Sequence, residues 1–333
     1  MKTAILTFHF ARNYGAVLQC YALQRWLQSQ GHEVSVLDYR PASLAGGYKW
    51  LDIRRFWGRT PAKFFRKTST EFRVIGSRRR RYRAFEEFIR SNFRLAVPGK
   101  EHFDLIVCGS DQIWNTRLTS GKDPVYWGTI SRKWADRLIS YAVSFEDGIK
   151  LIGPSDIQDL TGNFSALSVR EQSAAAVLGE AGAQATVCCD PVMLLSKNEW
   201  QVLASQSSIC KSNYLLLYQV RYSEDLYRKA EAIAREKGLE LVVLSAKCEM
   251  QNDKDTAAAS PADFVKLIAD ADYVVTSSFH GTALSIVLGK DFESPLLGDG
   301  KDSRVADLLE LYSSGALPAT INESEAYLKK HCQ

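Results

Sequence analysis

The chain has 333 residues, of which 46% are hydrophobic and 24% charged, and its formal net charge is +4. This composition is typical of a globular protein, excludes a largely disordered chain, and leaves room for two α/β units of about 150 residues each. No apolar run reaches the length of about 18 residues that a membrane-spanning helix needs. The first residues, MKTAILTFHF, are too short and too polar for a signal peptide, so we expect a cytoplasmic protein.

Apolar strand patterns alternate with helical patterns in the first part of the chain. The first helix, Gly15 to Gln30, carries an apolar stripe and stops at Gly31. The strands are predicted at Ala4 to Phe8, Val34 to Asp38, Leu105 to Cys108, Leu138 to Tyr141, Ala166 to Val169 and Thr186 to Cys189. Strands separated by helices indicate a parallel sheet that is covered on both faces.

A basic segment, residues 41–100, interrupts this alternation. It contains 16 Lys or Arg against 4 Asp or Glu, with Arg78 to Arg81 at its centre. Such a block could contact an anionic membrane face or a phosphorylated glycan carrier, and it could also be a solvated helical insertion. We expect no nucleic-acid partner, because no recognised binding motif accompanies the charge.

The α/β pattern restarts after a polar stretch, Gln201 to Asn213, which is the predicted linker. We therefore divide the chain into residues 1–205 and residues 206–333. In the second domain, strands are predicted at Tyr214 to Tyr218, Leu239 to Leu244 and Tyr273 to Val275, and helices at Glu224 to Lys237, Pro261 to Ala269 and Gly281 to Leu288. Two Rossmann-like domains with parallel sheets would face each other across a cleft, where ligands bind beyond the carboxyl ends of the strands.

The seven cysteines and five histidines of the chain show no metal-type spacing. Several of the cysteines lie inside apolar runs, as reduced core thiols do. We expect neither a metal site nor a disulfide framework.

Polar side chains collect where the strands of the first domain end. Planar polar groups suit sugar hydroxyls and an indole suits a pyranose face, so Asp111, Gln112, Trp114 and Asn115 together suggest a sugar site. Asn13, Tyr14, Gly15 and Ser110 lie at strand ends of the same sheet. Plainer explanations stay open. Asn13 and Gly15 could turn the chain and start a helix, Ser110 or Asp111 could be an N-cap, and Trp114 could be a core residue. Arg170 also ends a strand, where it could bind an anion or form a structural ion pair with Glu171 or another neighbour.

The stretch TSSFHGTALS, residues 276–285, follows the last predicted strand of the second domain. A helix that begins near Gly281 would point free N–H groups into the cleft, and such a helix start binds anions. Ser277 or Ser278 could cap it. A cap does not require His280, whose side chain could give or take a proton beside a bound anion.

Six motifs, in this order, resemble the polysaccharide pyruvyl transferase family: NYGAVLQCYALQ at 13–24, GSDQIWN at 109–115, ISYAVSF at 139–145, SVRE at 168–171, DP at 190–191 and SFHGTA at 278–283. The resemblance implies a GT-B-like architecture and transfer of pyruvate from phosphoenolpyruvate onto two hydroxyls of a sugar, which forms a cyclic ketal. It implies no cofactor beyond this co-substrate. The acceptor would be a glycan or a lipid-linked saccharide, held by the first domain through Asn13, Tyr14 and Gly15 and through Ser110, Asp111, Gln112, Trp114 and Asn115. The second domain would hold the donor.

By this resemblance, His280 would be the general acid or base. The donor would be bound by Arg170, Ser277 and Ser278 with the backbone N–H groups of Gly281 and Thr282. Some branches of the family carry arginine where this chain has Ser278, so a further cation is needed, for which Lys290 or Arg304 is expected.

Two other functions remain open at the level of sequence. A related GT-B enzyme, either a glycosyltransferase or an epimerase, would act on a nucleotide sugar and should bind uridine nucleotides. A non-catalytic relative would bind a glycan without turnover.

Overall fold

The protein consists of two α/β units whose sheets are fully parallel. The computed structural model describes residues 1–45, 61–245, 256–298 and 302–333, without the side chains of residues 43, 45, 61–75 and 147. Part of the predicted basic segment and Cys248 therefore lie outside the described residues. The predicted fold class, two Rossmann-like units that face a cleft, is confirmed.

The first unit contains a seven-stranded sheet. Its strands are β1 (Lys2–Leu6), β2 (Glu33–Leu37), β3 (Leu95–Ala96), β4 (Phe103–Asp111), β5 (Ala135–Val143), β6 (Leu167–Val169) and β7 (Ala185–Val187). The spatial order is β3-β2-β1-β4-β5-β6-β7, so the order reverses at β1 and β4. Ligands of such sheets bind at this reversal. All six predicted strands are present, and β3 was missed because two residues carry no periodic signal.

Helices cover both faces of this sheet: α1 (Tyr14–Ser29), α2 (Ala42–Ala45), α3 (Pro61–Asn92), α4 (Pro154–Asn163) and α5 (Gln172–Glu180). Asn13 caps α1, since its side chain accepts the Gly15 N–H at 2.9 Å. This confirms the capping explanation for Asn13. Nearly every residue of α1 is buried, because the helix lies between the sheet and the second unit.

The second unit contains a four-stranded sheet. In chain order its elements are α6 (Lys197–Ala204), β8 (Tyr214–Gln219), α7 (Glu224–Lys237), β9 (Glu240–Ser245), α8 (Pro261–Asp270), β10 (Tyr273–Thr276), α9 (Phe279–Leu288), β11 (Phe292–Glu293), α10 (Ser303–Ser313) and α11 (Leu317–His331). The strand order is β11-β10-β8-β9.

The predicted division at residue 205 differs from the observed packing at two places. Helix α6, which ends inside the predicted linker, packs on α8 and α9, so the chain enters the second unit before α6. Helix α11 returns to the first unit, where Tyr327 donates its hydroxyl to the Ser140 carbonyl at 2.9 Å. These packing partners lie far away in the sequence, and local patterns do not reveal them.

One hydrophobic core runs through both units. At its centre the ring of Tyr14 stacks on Phe264, with centroids 4.6 Å apart, and the Tyr14 hydroxyl donates to the Ala259 carbonyl at 2.9 Å. Phe85 of α3 and Tyr218 of β8 contact the same ring. Tyr14 therefore joins the two units, and the prediction that it binds a sugar is wrong for this structure.

The arginine block of α3 does not form one exposed patch. Arg81 is 6% exposed and donates to two carbonyls of the second unit, Ser245 O at 2.9 Å and Thr256 O at 3.4 Å. Arg79 and Arg80 are exposed. Consecutive residues of a helix point in directions about 100° apart, so four adjacent arginines cannot share a face. In the ranges that the structure describes, no helix is long and apolar enough to cross a bilayer.

Candidate active site

His280 lies at the start of α9, where β10 turns into the cleft. The turn is fixed by Thr276, whose hydroxyl donates to the Tyr218 carbonyl at 2.8 Å and accepts the Ser278 N–H at 3.1 Å. A Cβ on Gly281 would lie 2.5 Å from Thr276 Oγ1, so only glycine fits there. Ser278 occupies the N-cap position, but its side chain makes no capping hydrogen bond. The capping explanation is therefore wrong for the Ser278 hydroxyl.

The imidazole of His280 packs directly on Gly15 of the first unit. A Cβ built on Gly15 would lie 2.0 Å from His280 Nδ1. Gly15 was predicted to lie on the sugar side, and the neighbour that its missing side chain admits is His280. The contact also joins the N-terminal ends of α1 and α9.

Asp190, which follows β7, links the charged groups of the site. Its side chain is fully buried, and Oδ2 lies 2.5 Å from Arg170 Nη2 and 3.5 Å from His280 Nε2. Oδ1 accepts the Val192 N–H at 3.0 Å. Burial alone would raise the pKa of Asp190, but Arg170 and His280 outweigh it and lower this pKa to about 2. The side chain is therefore a carboxylate that orients both neighbours.

Arg170 presents unpaired N–H groups inside the protein. Its side chain is 5% exposed, and Nη2 donates to the Ser110 hydroxyl. Nε and Nη1 are buried and have no hydrogen-bond partner among the described residues. A buried guanidinium with unused donors favours an anionic ligand, because unmade hydrogen bonds of charged groups are unfavourable. Ser110, which was predicted on the sugar side, is fully buried, and its hydroxyl accepts this hydrogen bond from Arg170.

Two arginines of the second unit, Arg304 and Arg221, line the cleft. Arg304 of α10 contacts Glu146, with Nη2 3.3 Å from Oε1. The guanidinium groups of Arg304 and Arg170 lie 6.0 and 5.0 Å from the centre of the Phe279 ring. Arg221, which follows β8, donates to Asp302 at 2.8 Å. Arg304 was predicted, whereas Arg221 was missed although it follows a predicted strand.

The cleft between the units has a volume of about 200 Å³. Residues of both units line it, and seven of them were predicted from the sequence: Asn13, Asp111, Gln112, Ser277, Ser278, His280 and Arg304. Asp111 has a φ of 71°, a strained backbone conformation for a residue other than glycine that is often found at functional sites. The described residues contain no group of three or more His, Cys, Asp or Glu side chains that could hold a metal.

Other predicted site residues have structural partners instead. Trp114 is fully buried, and its Nε1 donates to the Tyr126 carbonyl at 2.9 Å, so its indole offers no face to a sugar. Asn115 is 4% exposed and donates to Gln112 at 2.9 Å, which positions the Gln112 side chain. For Trp114 the plainer explanation, a core residue, is correct.

On the donor side, Lys290 and Thr282 also differ from the prediction. Lys290 Nζ donates to the Ala269 carbonyl at 3.0 Å, near the end of α8, where helix carbonyls lack partners within the helix. The Thr282 N–H donates to the Ser278 carbonyl at 2.9 Å and is used inside α9. Of the two expected cations, only Arg304 lies at the cleft.

The fold and the site define an α/β protein whose interdomain cleft is lined by His280, Arg221 and Arg304, with the buried Arg170 in an adjoining cavity. The family model for polysaccharide pyruvyl transferase matches residues 13–292, and the chain belongs to this family. A comparison with curated proteins finds no significant match.

Solved structures of carbohydrate enzymes resemble the chain weakly. The UDP-GlcNAc 2-epimerase from Neisseria meningitidis, solved with UDP-GlcNAc, has a TM-score of 0.45 and 9% identity, covering 97% of this chain and 94% of that chain. The E. coli heptosyltransferase WaaC, solved with ADP-2-deoxy-2-fluoro heptose, has a TM-score of 0.39 and 12% identity, covering 95% and 100%. Likenesses at these scores say nothing about what the present chain binds.

Proposed function

We propose that the protein transfers pyruvate from phosphoenolpyruvate onto two hydroxyls of a sugar and forms a cyclic ketal. The observation that carries this proposal is the buried Arg170 guanidinium, which has unused N–H groups and shares the Asp190 carboxylate with His280. The family supplies the reaction class. The arginines supply the reason for an anionic donor.

Phosphoenolpyruvate carries a phosphate and a carboxylate, and the site offers two cations for them. Arg170 and Arg304 lie on the same aromatic ring, Phe279, within 6.0 Å of its centre. Guanidinium groups bind both kinds of oxyanion through paired hydrogen bonds. Fixed cations also stabilise the charge that develops on phosphate when it leaves.

His280 is suited to remove the proton of the attacking hydroxyl. Its Nε2 faces Asp190, which leaves Nδ1, beside Gly15, for the substrate. A carboxylate beside one imidazole nitrogen fixes the orientation of the ring. In this proposal Asn13, Asp111 and Gln112 bind the acceptor from the other side of the cleft.

The acceptor in this proposal is a glycan or a lipid-linked saccharide in the cytoplasm. Three arginines of α3, Arg79, Arg80 and Arg83, are exposed and could hold the enzyme at an anionic membrane face. Co-sedimentation with phosphatidylglycerol vesicles tests this contact. Binding that is unchanged when all three become serine would contradict it.

A ligand titration tests the donor. A ligand that binds only the folded state stabilises it by about 2.7 kcal/mol at 100 times its Kd. We expect phosphoenolpyruvate to raise the Tm of the native protein and of Arg132→Gln, an exposed control, but not of Arg170→Gln. Stabilisation by uridine nucleotides alone would favour a nucleotide-sugar enzyme and refute the proposal.

Turnover is measured as phosphate release from phosphoenolpyruvate in the presence of methyl hexopyranosides of different configuration. Such sugars offer neighbouring hydroxyl pairs on which a cyclic ketal can form. We expect release to require one of these acceptors and to be lost in His280→Ala. Glycan binding without phosphate release, unchanged in His280→Ala, would indicate a non-catalytic protein.

A further inference from the structure

A second carboxyl, Glu171, is buried beside the cleft and has no role in the reaction as described so far. It is 6% exposed and directly follows Arg170 at the end of β6. Its Oε1 accepts a hydrogen bond from the Ser144 hydroxyl. Its Oε2 is buried without a hydrogen-bond partner among the described residues. Buried polar atoms are rarely left unpaired, so this oxygen is a candidate to act on a substrate.

Glu171 lines a small cavity that adjoins the main cleft. The cavity has a volume of about 50 Å³ and shares two walls, Phe279 and Arg304, with the cleft. Much of its remaining lining is apolar and comes from Val187, Leu308 and Leu311. A water molecule needs only about 10–15 Å³ measured in this way, so the cavity has room for a methyl or methylene group but not for a whole sugar.

The two buried carboxyls of the site have opposite protonation tendencies. Burial raises the pKa of Glu171, and the charges of Arg170 and Arg304 and the Ser144 hydrogen bond offset this only in part. The pKa of Asp190 is instead lowered to about 2. Two carboxyls whose environments drive their pKa values apart are typical of acid and base assignments in active sites.

We propose that Glu171 is the acid that protonates the methylene carbon of phosphoenolpyruvate, with that carbon in the small cavity behind Phe279. The inference rests on the proposed function. Arg170 and Arg304, which would hold the two anionic groups of the donor, flank both Phe279 and Glu171. If the phosphate and the carboxylate of the donor bind the two arginines, its uncharged methylene group lies in the small apolar cavity.

The steps balance as follows. The carboxylic proton of Glu171 adds to the methylene carbon, which becomes the methyl group, and the neighbouring carbon is attacked by the first sugar hydroxyl, whose proton goes to His280. The bond between that carbon and the phosphate oxygen then breaks, and His280 returns its proton to the leaving phosphate. The second hydroxyl closes the ring on the same carbon, and its proton restores Glu171. No oxidant, reductant or further reactant is needed.

The first test replaces the acid without changing its shape. We expect Glu171→Gln to keep the rise in Tm that phosphoenolpyruvate causes and to lower kcat for phosphate release by about 10²–10⁴-fold, which is the usual contribution of a general acid. Glu180→Gln, an exposed change at the end of α5, should behave like the native protein. A kcat within about fivefold of native would overturn the inference. So would a rise in KM for the donor at unchanged kcat, which indicates a structural role.

The second test uses pH and does not depend on the glutamine variant. The charged groups that surround Glu171 are Arg170, Arg304, Asp190 and Asp307. If Glu171 is the acid, kcat falls as the pH rises through the pKa of Glu171, which gives the alkaline limb of the pH profile. In Glu171→Asp we expect a lower kcat and an alkaline limb at a different pH. An alkaline limb that stays in place in an active Glu171→Asp enzyme refutes the assignment. If Glu171→Gln does not fold, as judged by circular dichroism, the aspartate variant decides.

The native enzyme separates the two proposals. If native protein neither is stabilised by phosphoenolpyruvate nor releases phosphate with any methyl hexopyranoside, the proposed function itself has failed. If native protein is active and Glu171→Gln is equally active, only the assignment of Glu171 has failed. In D₂O the ketal methyl group of the native product should carry one deuterium.

Discussion

The contact between Gly15 and His280 makes a prediction that can be tested without knowing any substrate. In Gly15→Ala the new methyl group would lie 2.0 Å from Nδ1, 2.3 Å from Cγ and 2.4 Å from Cε1 of His280. Ordinary carbon contacts are about 3.5 Å, so the groups must separate by about 1.5 Å. The His280 side chain is 10% exposed and lies between α1 and Asp190, so it has little room to move.

Two opposing effects set the magnitude. Overpacking of this kind destabilises a protein by about 1–3 kcal/mol. Alanine in place of glycine in a helix is favourable by about 0.5–1 kcal/mol where there is room. Gly179→Ala in α5 isolates the second effect, because beyond the adjacent helix backbone no atom of the described residues lies within 4 Å of its new Cβ. We therefore expect Gly179→Ala to stabilise the protein, and Gly15→Ala to destabilise it by up to about 2 kcal/mol.

Urea unfolding of four proteins measures the contact itself: native, Gly15→Ala, His280→Ala and the double variant. Without the imidazole the alanine has room, so Gly15→Ala should become neutral or stabilising in the His280→Ala background. The coupling energy of this double-mutant cycle should be about 1–3 kcal/mol. If Gly15→Ala changes the free energy of unfolding equally in both backgrounds, the two residues do not touch and the placement of His280 is wrong.

Three further predictions concern the charged residues. Asp190→Asn should destabilise the protein by about 3–5 kcal/mol at pH 7, because it leaves buried Arg170 unpaired. Since the pKa of Asp190 is lowered to about 2, the contribution of its carboxylate to stability is complete above about pH 5 and is lost as the pH falls toward 2. Urea unfolding of the native protein and of Asp190→Asn across this range should therefore show their difference in free energy of unfolding shrinking. A difference that does not depend on pH would contradict the ion pair. Arg81→Met should destabilise the protein by about 2–4 kcal/mol, because two hydrogen bonds of a charged group are lost. The control Arg80→Met, at an exposed position, should change the free energy of unfolding by less than about 0.5 kcal/mol. Equal effects of the two variants in urea unfolding would contradict the buried position of Arg81. Lys290→Met should leave the Tm shift caused by phosphoenolpyruvate unchanged, and loss of that shift would restore Lys290 as a donor ligand.

Sequence patterns located the strand ends because apolar runs and helix stops are local signals. Arg170 and His280 each follow a strand, and both lie at the site. The same rule, applied to the strands before Asp190 and Arg221, would have found these two residues as well. Asp190 stood in a motif that was noted only for its family resemblance.

Other features depend on contacts between distant parts of the chain. Trp114 is buried because Trp127, Phe145 and Phe164 pack around it. Nothing within the motif GSDQIWN distinguishes an indole that faces a cleft from one that faces a core. The position of Arg81 was partly predictable, because helical spacing divides four adjacent arginines between different faces. The carbonyl groups of the second unit that Arg81 contacts could not be predicted from the sequence.

The core that runs through both units has a consequence for how the protein moves and unfolds. Rotation of one unit against the other would break the stack of Tyr14 on Phe264 and the hydrogen bonds that Arg81 makes across the units. Large apolar contacts of this kind oppose hinge motion. The two units should therefore melt in a single cooperative transition, and neither should fold when it is expressed alone. We therefore expect the cleft to keep its width when a ligand binds, so that a ligand would diffuse into an already assembled site.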